Sequence, residues 1–127
     1  MKILIPLFVM LLVCACSSKE SKTDAKFLLQ PEDFKSKIDE GATIIDVRTV
    51  EEYASGHITG SLNMDINNPL FKDNVALLDK NKEYAVYCAS GVRSGKAAEL
   101  MRENGFTSVY TLAGGVKKWK DKGMPLE

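Results

Sequence analysis

From residue 27 onward, short runs of branched apolar residues alternate with longer stretches whose apolar positions recur every three or four residues. Continuous or alternating apolar runs suit strands and the longer period suits amphipathic helices, so the chain predicts strands and helices in turn around a mostly parallel sheet. Phe27-Leu28-Leu29 opens as a strand. Pro31 stands where a first helical turn tolerates proline, and Phe34 and Ile38 share one face of a helix that ends at Gly41. Thr43 to Val47 is a second strand with an acid near its carboxyl end, residues 51–55 give a turn or two of helix before Gly56, and Ser61 to Met64 is a third short strand. Asn67-Asn68-Pro69 punctuates the chain ahead of a helix through Leu70, Phe71, Val75 and Leu78. Tyr84 to Tyr87 is a strand, Cys88 to Arg93 a loop, and Ser94 to Glu103 a helix with Ala97, Ala98 and Met101 on one side, stopped by Asn104-Gly105. Val109 to Leu112 is the last strand, and a terminal helix carries Trp119. The expected architecture is one α/β domain over residues 27–127, a central mostly parallel sheet with helices on both faces.

The first 26 residues break this pattern. After Lys2, Ile3 to Val13 is an apolar run of 11 residues interrupted only by Pro6. As a helix it would reach roughly 16 Å, about half of a hydrocarbon core ~30 Å thick, so residues 1–15 read as a signal peptide rather than a permanent span. Val13-Cys14-Ala15-Cys16 resembles the bacterial lipobox, which would make Cys16 the lipidated first residue of the exported protein. The alternative is an ordinary signal peptide cut near Ala15 that leaves Cys16 as an exposed thiol. Residues 16–26 then form a polar, lipid-anchored tether without the aromatic or branched side chains needed to pack. The expected location is the cell envelope, on a bacterial membrane in the periplasm or at the cell surface.

Composition narrows the function classes. Of the 127 residues, with 17 Lys+Arg against 17 Asp+Glu, the part beyond the leader keeps one core's worth of chain and a charge near neutrality. The basic field that drives sequence-independent nucleic-acid binding is missing, so no nucleic-acid partner is expected. One histidine and one cysteine beyond Cys16 cannot assemble a zinc site of the usual kind, and no glycine-rich nucleotide fingerprint follows the first strand, so neither metal nor cofactor is expected.

Cys88 is the candidate nucleophile. A thiol at the end of a parallel strand, before a loop that feeds a helix, sits where backbone N–H groups and the positive end of the helix dipole converge. Ser90, Gly91 and Ser94 are small enough to let the backbone curl around it, and Arg93 adds a cation. These features lower a thiol pKa and make a nucleophile at neutral pH. The bland reading is a buried inert cysteine in a strand.

These residues carry a resemblance to the rhodanese-like domain family, from about Phe27 to Leu126. Ile45-Asp46-Val47-Arg48 with Glu51-Glu52-Tyr53, then Gly56-His57-Ile58, Gly60-Ser61 and Asn63, resembles the family's first signature. Tyr87 to Ser94 resembles its active-site loop, and Leu112-Ala113-Gly114-Gly115 with Trp119 and Pro125 its carboxyl-terminal one. The resemblance implies a sulfurtransferase in which Cys88 takes sulfane sulfur from a small donor, holds it as a persulfide, and passes it to cyanide or a thiol. Ala89, Ser90, Gly91, Val92, Arg93 and Ser94 would form the substrate cradle. A redox or sulfur-carrier protein is a further expected partner.

Two other readings stay open: a non-catalytic sulfur-binding or protein-interaction module, and a phosphatase of related fold. The related phosphatases have a loop one residue longer, whereas four residues separate Cys88 from Arg93 here, a cradle that suits one sulfur atom better than a tetrahedral phosphate. Thiosulfate-using members often carry an extra basic residue in the loop where this chain has Ala89 and Ser90. That difference predicts a weak grip on thiosulfate and favours polysulfide, a persulfide or a partner protein's sulfur. Asp46, Arg48 and Glu52 read as an ion-pair network supporting the site, and His57 as a residue that orders the loop after the first signature. Trp119 and Tyr110 read as core.

Overall fold

The computed structural model describes residues 25–127; the expected leader, the Cys16 lipidation site and most of the tether lie outside the described residues. A 3-10 turn over Ala25–Phe27 leads into β1 (Leu28–Leu29), followed by α1 (Pro31–Asp39), β2 (Thr43–Asp46), α2 (Val50–Ala54) and β3 (Leu62–Asn63). Then come α3 (Phe71–Ala76), β4 (Glu83–Tyr87), α4 (Val92–Glu103), β5 (Ser108–Leu112) and α5 (Gly115–Asp121). The strands form one sheet in the order β1-β5-β4-β2-β3, with every pair parallel.

Central strands of a parallel sheet are covered on both faces, which is why β2 and β4 read as continuous apolar runs rather than alternating ones. Successive side chains on β4 go to opposite layers. Tyr84 and Val86 join a buried cluster with Phe71 and Val75 of α3 and Ala97, Ala98 and Met101 of α4. Ala85 and Tyr87 join a second cluster with Phe34 of α1 and Trp119 of α5. Phe34 is fully buried, edge-on to both Tyr87 and Trp119. Burial of such a side chain is worth roughly 1.5–3 kcal/mol.

The chain leaves β2 toward β3 but leaves β4 toward β5, on the opposite side. Where neighbouring parallel strands send their connections in opposite directions, a crevice opens beyond their carboxyl ends. Asp46 ends β2 and Cys88 follows β4 at that switch point. No helix among the described residues is long and apolar enough to cross a membrane.

Boundaries differ from the expected ones in physically instructive places. Phe27 belongs to the 3-10 turn and packs edge-on against Tyr110 instead of extending the first strand. The carboxyl end of α4 falls at Glu103 as expected, where the Met101 carbonyl accepts the Phe106 N–H and the Arg102 carbonyl the Gly105 N–H in a paired backbone cap. At its other end α4 starts at Val92, two residues earlier than the loop reading allowed, because Gly91 takes φ 109° and turns the chain into the helix in a single step.

Candidate active site

The loop between β4 and α4 runs from Cys88 to Gly91, so Val92 and Arg93 lie in the first helical turn rather than in the loop. Cys88 is only 1% exposed and lies at the carboxyl end of the β4 apolar cluster. Its sulfur, however, is not sealed in hydrocarbon. The Gly91 N–H donates to Sγ at 3.0 Å, and the thiol donates to Ser94 Oγ at 3.4 Å. Ser94 Oγ in turn donates to the Gly91 carbonyl at 3.1 Å, so loss of the thiol proton lets this hydroxyl turn and donate to sulfur instead. Burial pushes the thiol pKa up, but the Ser94 hydroxyl and the backbone N–H groups of Ser94, Gly91 and Ser90 hold it below the ordinary thiol value. Hydrogen bonds to the ionised form outweigh desolvation here.

What keeps those amides turned toward sulfur is the last helix. The Val116 N–H donates to the Cys88 carbonyl at 2.8 Å and the Lys117 N–H to the Ala89 carbonyl at 3.2 Å. Two loop carbonyls are therefore held outward by the first turn of α5, whose own donors would otherwise lack helical partners. The approach is close enough to demand glycine at 115. A Cβ there would run into the Ala89 carbonyl and come within 2.6 Å of the Ser90 nitrogen, on a residue whose φ is +64°. Gly115→Ala is expected to push the loop off α5 and to cost about 1–3 kcal/mol in backbone strain and overpacking. Chemical denaturation should show that loss together with a Cys88 thiol titrating closer to its ordinary value; a variant indistinguishable from wild type in both would show that the contact is slack.

The acids and arginines expected to form one network divide into two. Asp46, fully buried, holds Arg48, 5% exposed. Arg48 Nη2 donates to Asp46 Oδ2 at 2.7 Å, Nε donates to both carboxylate oxygens at 3.0 Å, and the Arg48 backbone N–H adds a bond of 2.9 Å. The same Nη2 donates to the Gly56 carbonyl at 2.7 Å, which ties the segment after α2 to the end of β2. Asn63 donates to the carbonyls of Asp46 and Arg48, and Tyr87 lies beneath the guanidinium with its ring centre 5.6 Å away. This pair supports the crevice wall and does not touch Cys88.

Glu52 belongs to the other pair. It closes a capping box with Thr49 at the start of α2, and its carboxylate takes both nitrogens of the Arg93 fork, at 2.7 and 2.9 Å. The Arg93 hydrogen bonds hold the Glu52 carboxyl down at about 2, against the opposing effect of burial. Arg93, expected to add a cation beside the thiol, directs its fork to the Glu52 carboxylate and so joins α4 to α2, while its charge and that of Cys88 still act on each other electrostatically. His57 stacks its ring on Tyr53 with centres 3.8 Å apart, its Nδ1 lies 3.0 Å from the Tyr53 carbonyl, and its backbone pairs with Glu127.

Of the expected cradle residues, Ser90, Gly91 and Ser94 are brought to the sulfur, Ala89 supplies a carbonyl to α5, and Val92 is exposed. Gly115 is a site-building residue that residue-by-residue chemistry misses. Its signal is the glycine pair after the last strand, whose use becomes visible only when α5 meets the loop.

Comparison with known proteins agrees with this geometry. A family model described as the rhodanese-like domain matches residues 30–122. The uncharacterized protein YqhL of Bacillus subtilis is 42% identical over 81 residues, 64% of this chain; the chain spans 63% of that relative's length. The thiosulfate sulfurtransferase GlpE of Pseudomonas paraeruginosa is 35% identical over 92 residues, covering 72% of this chain and 82% of that one. Among solved structures, a rhodanese-related protein from Thermoplasma volcanium superposes with a TM-score of 0.71 at 30% identity, over 79% of this chain and 96% of that one.

Proposed function

The chain belongs to the rhodanese-like domain family, and from that premise we propose that it is a sulfurtransferase whose Cys88 carries sulfane sulfur as a persulfide. The observation that carries the reading is the convergence of the Gly91 N–H and the Ser94 hydroxyl on Sγ, with the thiol pKa lowered in spite of burial. In the first half-reaction the Cys88 thiolate attacks the outer sulfur of a donor. The sulfur–sulfur bond of the donor breaks, its electron pair leaves with the departing group, and Cys88 keeps one extra sulfur. In the second half-reaction cyanide or a thiolate attacks that sulfur and the Cys88 thiolate returns as leaving group. Splitting the transfer in two makes each step easier and gives ping-pong kinetics. The inward donors stabilise negative charge on Cys88 in both the thiolate and the persulfide, as an oxyanion hole stabilises an alkoxide.

The test is mass spectrometry of the purified protein after polysulfide or thiosulfate. Cys88 is expected to gain one sulfur atom that cyanide removes as thiocyanate. Loading without turnover by cyanide or any thiol would favour the passive sulfur-binding module, and no loading with either donor would overturn the proposal. The initial loading rate should rise with pH through the lowered thiol pKa, and Ser94→Ala should move that midpoint upward by removing the side-chain donor. An unchanged midpoint would show that the backbone amides act alone.

For the amino-terminal segment we propose export and lipid attachment through Cys16, on the sequence pattern of residues 1–16. Incorporation of a labelled fatty acid, lost in Cys16→Ser, is the expected result.

A further inference from the structure

The two faces of the sheet are covered differently at its β1 end. On one face Leu29 packs against the cluster that α1 and α5 complete. On the other, α4 lies over β4 and β5, and Leu28 is left 52% exposed. The difference opens a groove of about 300 Å³ between α4 and the β1–β5 pair. One wall is a single face of α4 with its amino-terminal cap, from Gly91 through Gly95, Ala98 and Glu99 to Arg102. The other wall is Leu28 beside its register partner Thr111. Packing explains neither Thr111 nor Gly95. Thr111 is 7% exposed, yet its hydroxyl has no hydrogen-bond partner among the described residues, so its bonding capacity is left for a group from outside the chain. Glycine is a poor helix former, and a Cβ at position 95 would meet nothing within 4 Å, so no contact demands glycine there. Its missing side chain instead keeps the groove open. The charges along the groove balance: Glu99, which has no ion-pair partner among the described residues, lies one turn from Arg102. The Arg102 guanidinium is held in place by the Val109 carbonyl, 2.9 Å from Nη2, and by the Phe27 ring beneath it.

We infer that this groove is a binding site for a small zwitterion of the α-amino-acid type. The ammonium group of the ligand meets Glu99, its carboxylate takes hydrogen bonds from the Thr111 hydroxyl and the Arg102 guanidinium, and its short apolar body lies on Leu28 and Ala98. Balanced charge is what selects a zwitterion, because a ligand carrying one sign alone would meet a like charge one helical turn away. A guanidinium has five N–H donors, so the bonds that Arg102 makes within the chain do not exhaust it. The groove is distinct from the sulfur cradle but borders it at Gly91, whose N–H donates to Cys88 Sγ at 3.0 Å. Binding here requires neither a thiol nor a sulfur donor and is independent of the sulfurtransferase reading.

The probe is S-methyl-L-cysteine, an amino acid without a free thiol, titrated into the full chain labelled with nitrogen-15. Saturable shifts are expected at the amides of Gly91, Gly95 and Thr111. Gly95→Leu places a side chain in the open space of the groove and should abolish them. Thr111→Val, of nearly the same shape as the native residue, should weaken binding about fivefold, the worth of one hydrogen bond, and keeps the test decisive if leucine disturbs α4. Removing one charge of the probe at a time assigns its two ends. The N-acetyl derivative lacks the ammonium charge and should bind more weakly than the amino acid, a difference that Glu99→Gln should erase. The methyl ester lacks the carboxylate and should also bind more weakly, and Thr111→Val should narrow that gap. The absence of saturable shifts, shifts that survive Gly95→Leu, or an affinity unchanged in Thr111→Val each overturn the site. Equal binding of the amino acid, its N-acetyl derivative and its methyl ester overturns the ligand class, since apolar contact alone would then hold the probe.

Discussion

On the proposed mechanism, Cys88→Ser is expected to abolish sulfur loading and turnover, by at least about a thousandfold, while leaving the fold in place. The size of the effect follows from three differences between oxygen and sulfur at the same position. An alcohol has a pKa far above that of a thiol, and the donors of this cradle, the Gly91 and Ser94 groups, cannot supply enough stabilisation to ionise it at neutral pH. Oxygen is also a poor nucleophile toward sulfur, and an oxygen–sulfur adduct lacks the reversibility that lets a sulfane sulfur be passed on. Stability should change little, since serine is slightly smaller than cysteine and can donate to the same Ser94 oxygen. The comparison is made on initial rates of thiocyanate formation and on the mass of the loaded protein, with unfolding curves for both proteins. Residual turnover within tenfold of wild type would mean that the sulfur travels by another route.

The largest stability effect is expected at Asp46. Replacing it by alanine leaves the Arg48 guanidinium 5% exposed with one carbonyl, that of Gly56, in place of a carboxylate. Breaking a buried pair from one side costs about 3–5 kcal/mol, because the remaining charge is desolvated without compensation. Domain stabilities are about 5–15 kcal/mol, so the variant should lose a large fraction of its margin and melt some 15–25 °C lower. A second variant separates the pair from the position. Asp46→Leu combined with Arg48→Met replaces both charges by apolar side chains of similar size and should recover much of the loss. Equal destabilisation in the single and double variants would show that the Gly56 tether and the Arg48–Tyr87 contact, rather than the ion pair, hold this wall of the crevice.

Both predictions depend on features of different visibility. Cys88 can be picked out from the chain because its setting is local: a strand of branched and aromatic residues, a thiol, small residues, then a helix, all within about a dozen positions. The strands β2 and β4 are legible for the same reason, since the branched Thr43-Ile44-Ile45 run and the four successive apolar residues Tyr84 to Tyr87, each bounded by polar turns, leave few alternatives. Glycine 91 is legible as a bend, although the helix then starts earlier than apolar periodicity alone indicates, because Val92 is exposed and contributes nothing to the helical stripe. The short edge strands β1 and β3, of two residues each, are set by their neighbours. Leu28 pairs with Thr111 and Asn63 with Asp46, and neither segment holds enough local signal to mark its own limits.

The chain by itself determined the order of strands and helices, the two-faced burial of the sheet and the choice of Cys88 as the candidate nucleophile, because these follow from spacing and side-chain type over a few residues. Only the tertiary structure decided the electrostatics around that thiol. Glu52 and Arg93 are 41 residues apart, and no local pattern says that one closes on the other. Gly115 reaches the Cys88 loop by way of a whole strand and helix, so its role exists only once β4 and β5 are paired and α5 packs back over their ends. Charge and close packing act through space, and space between distant segments is what folding supplies.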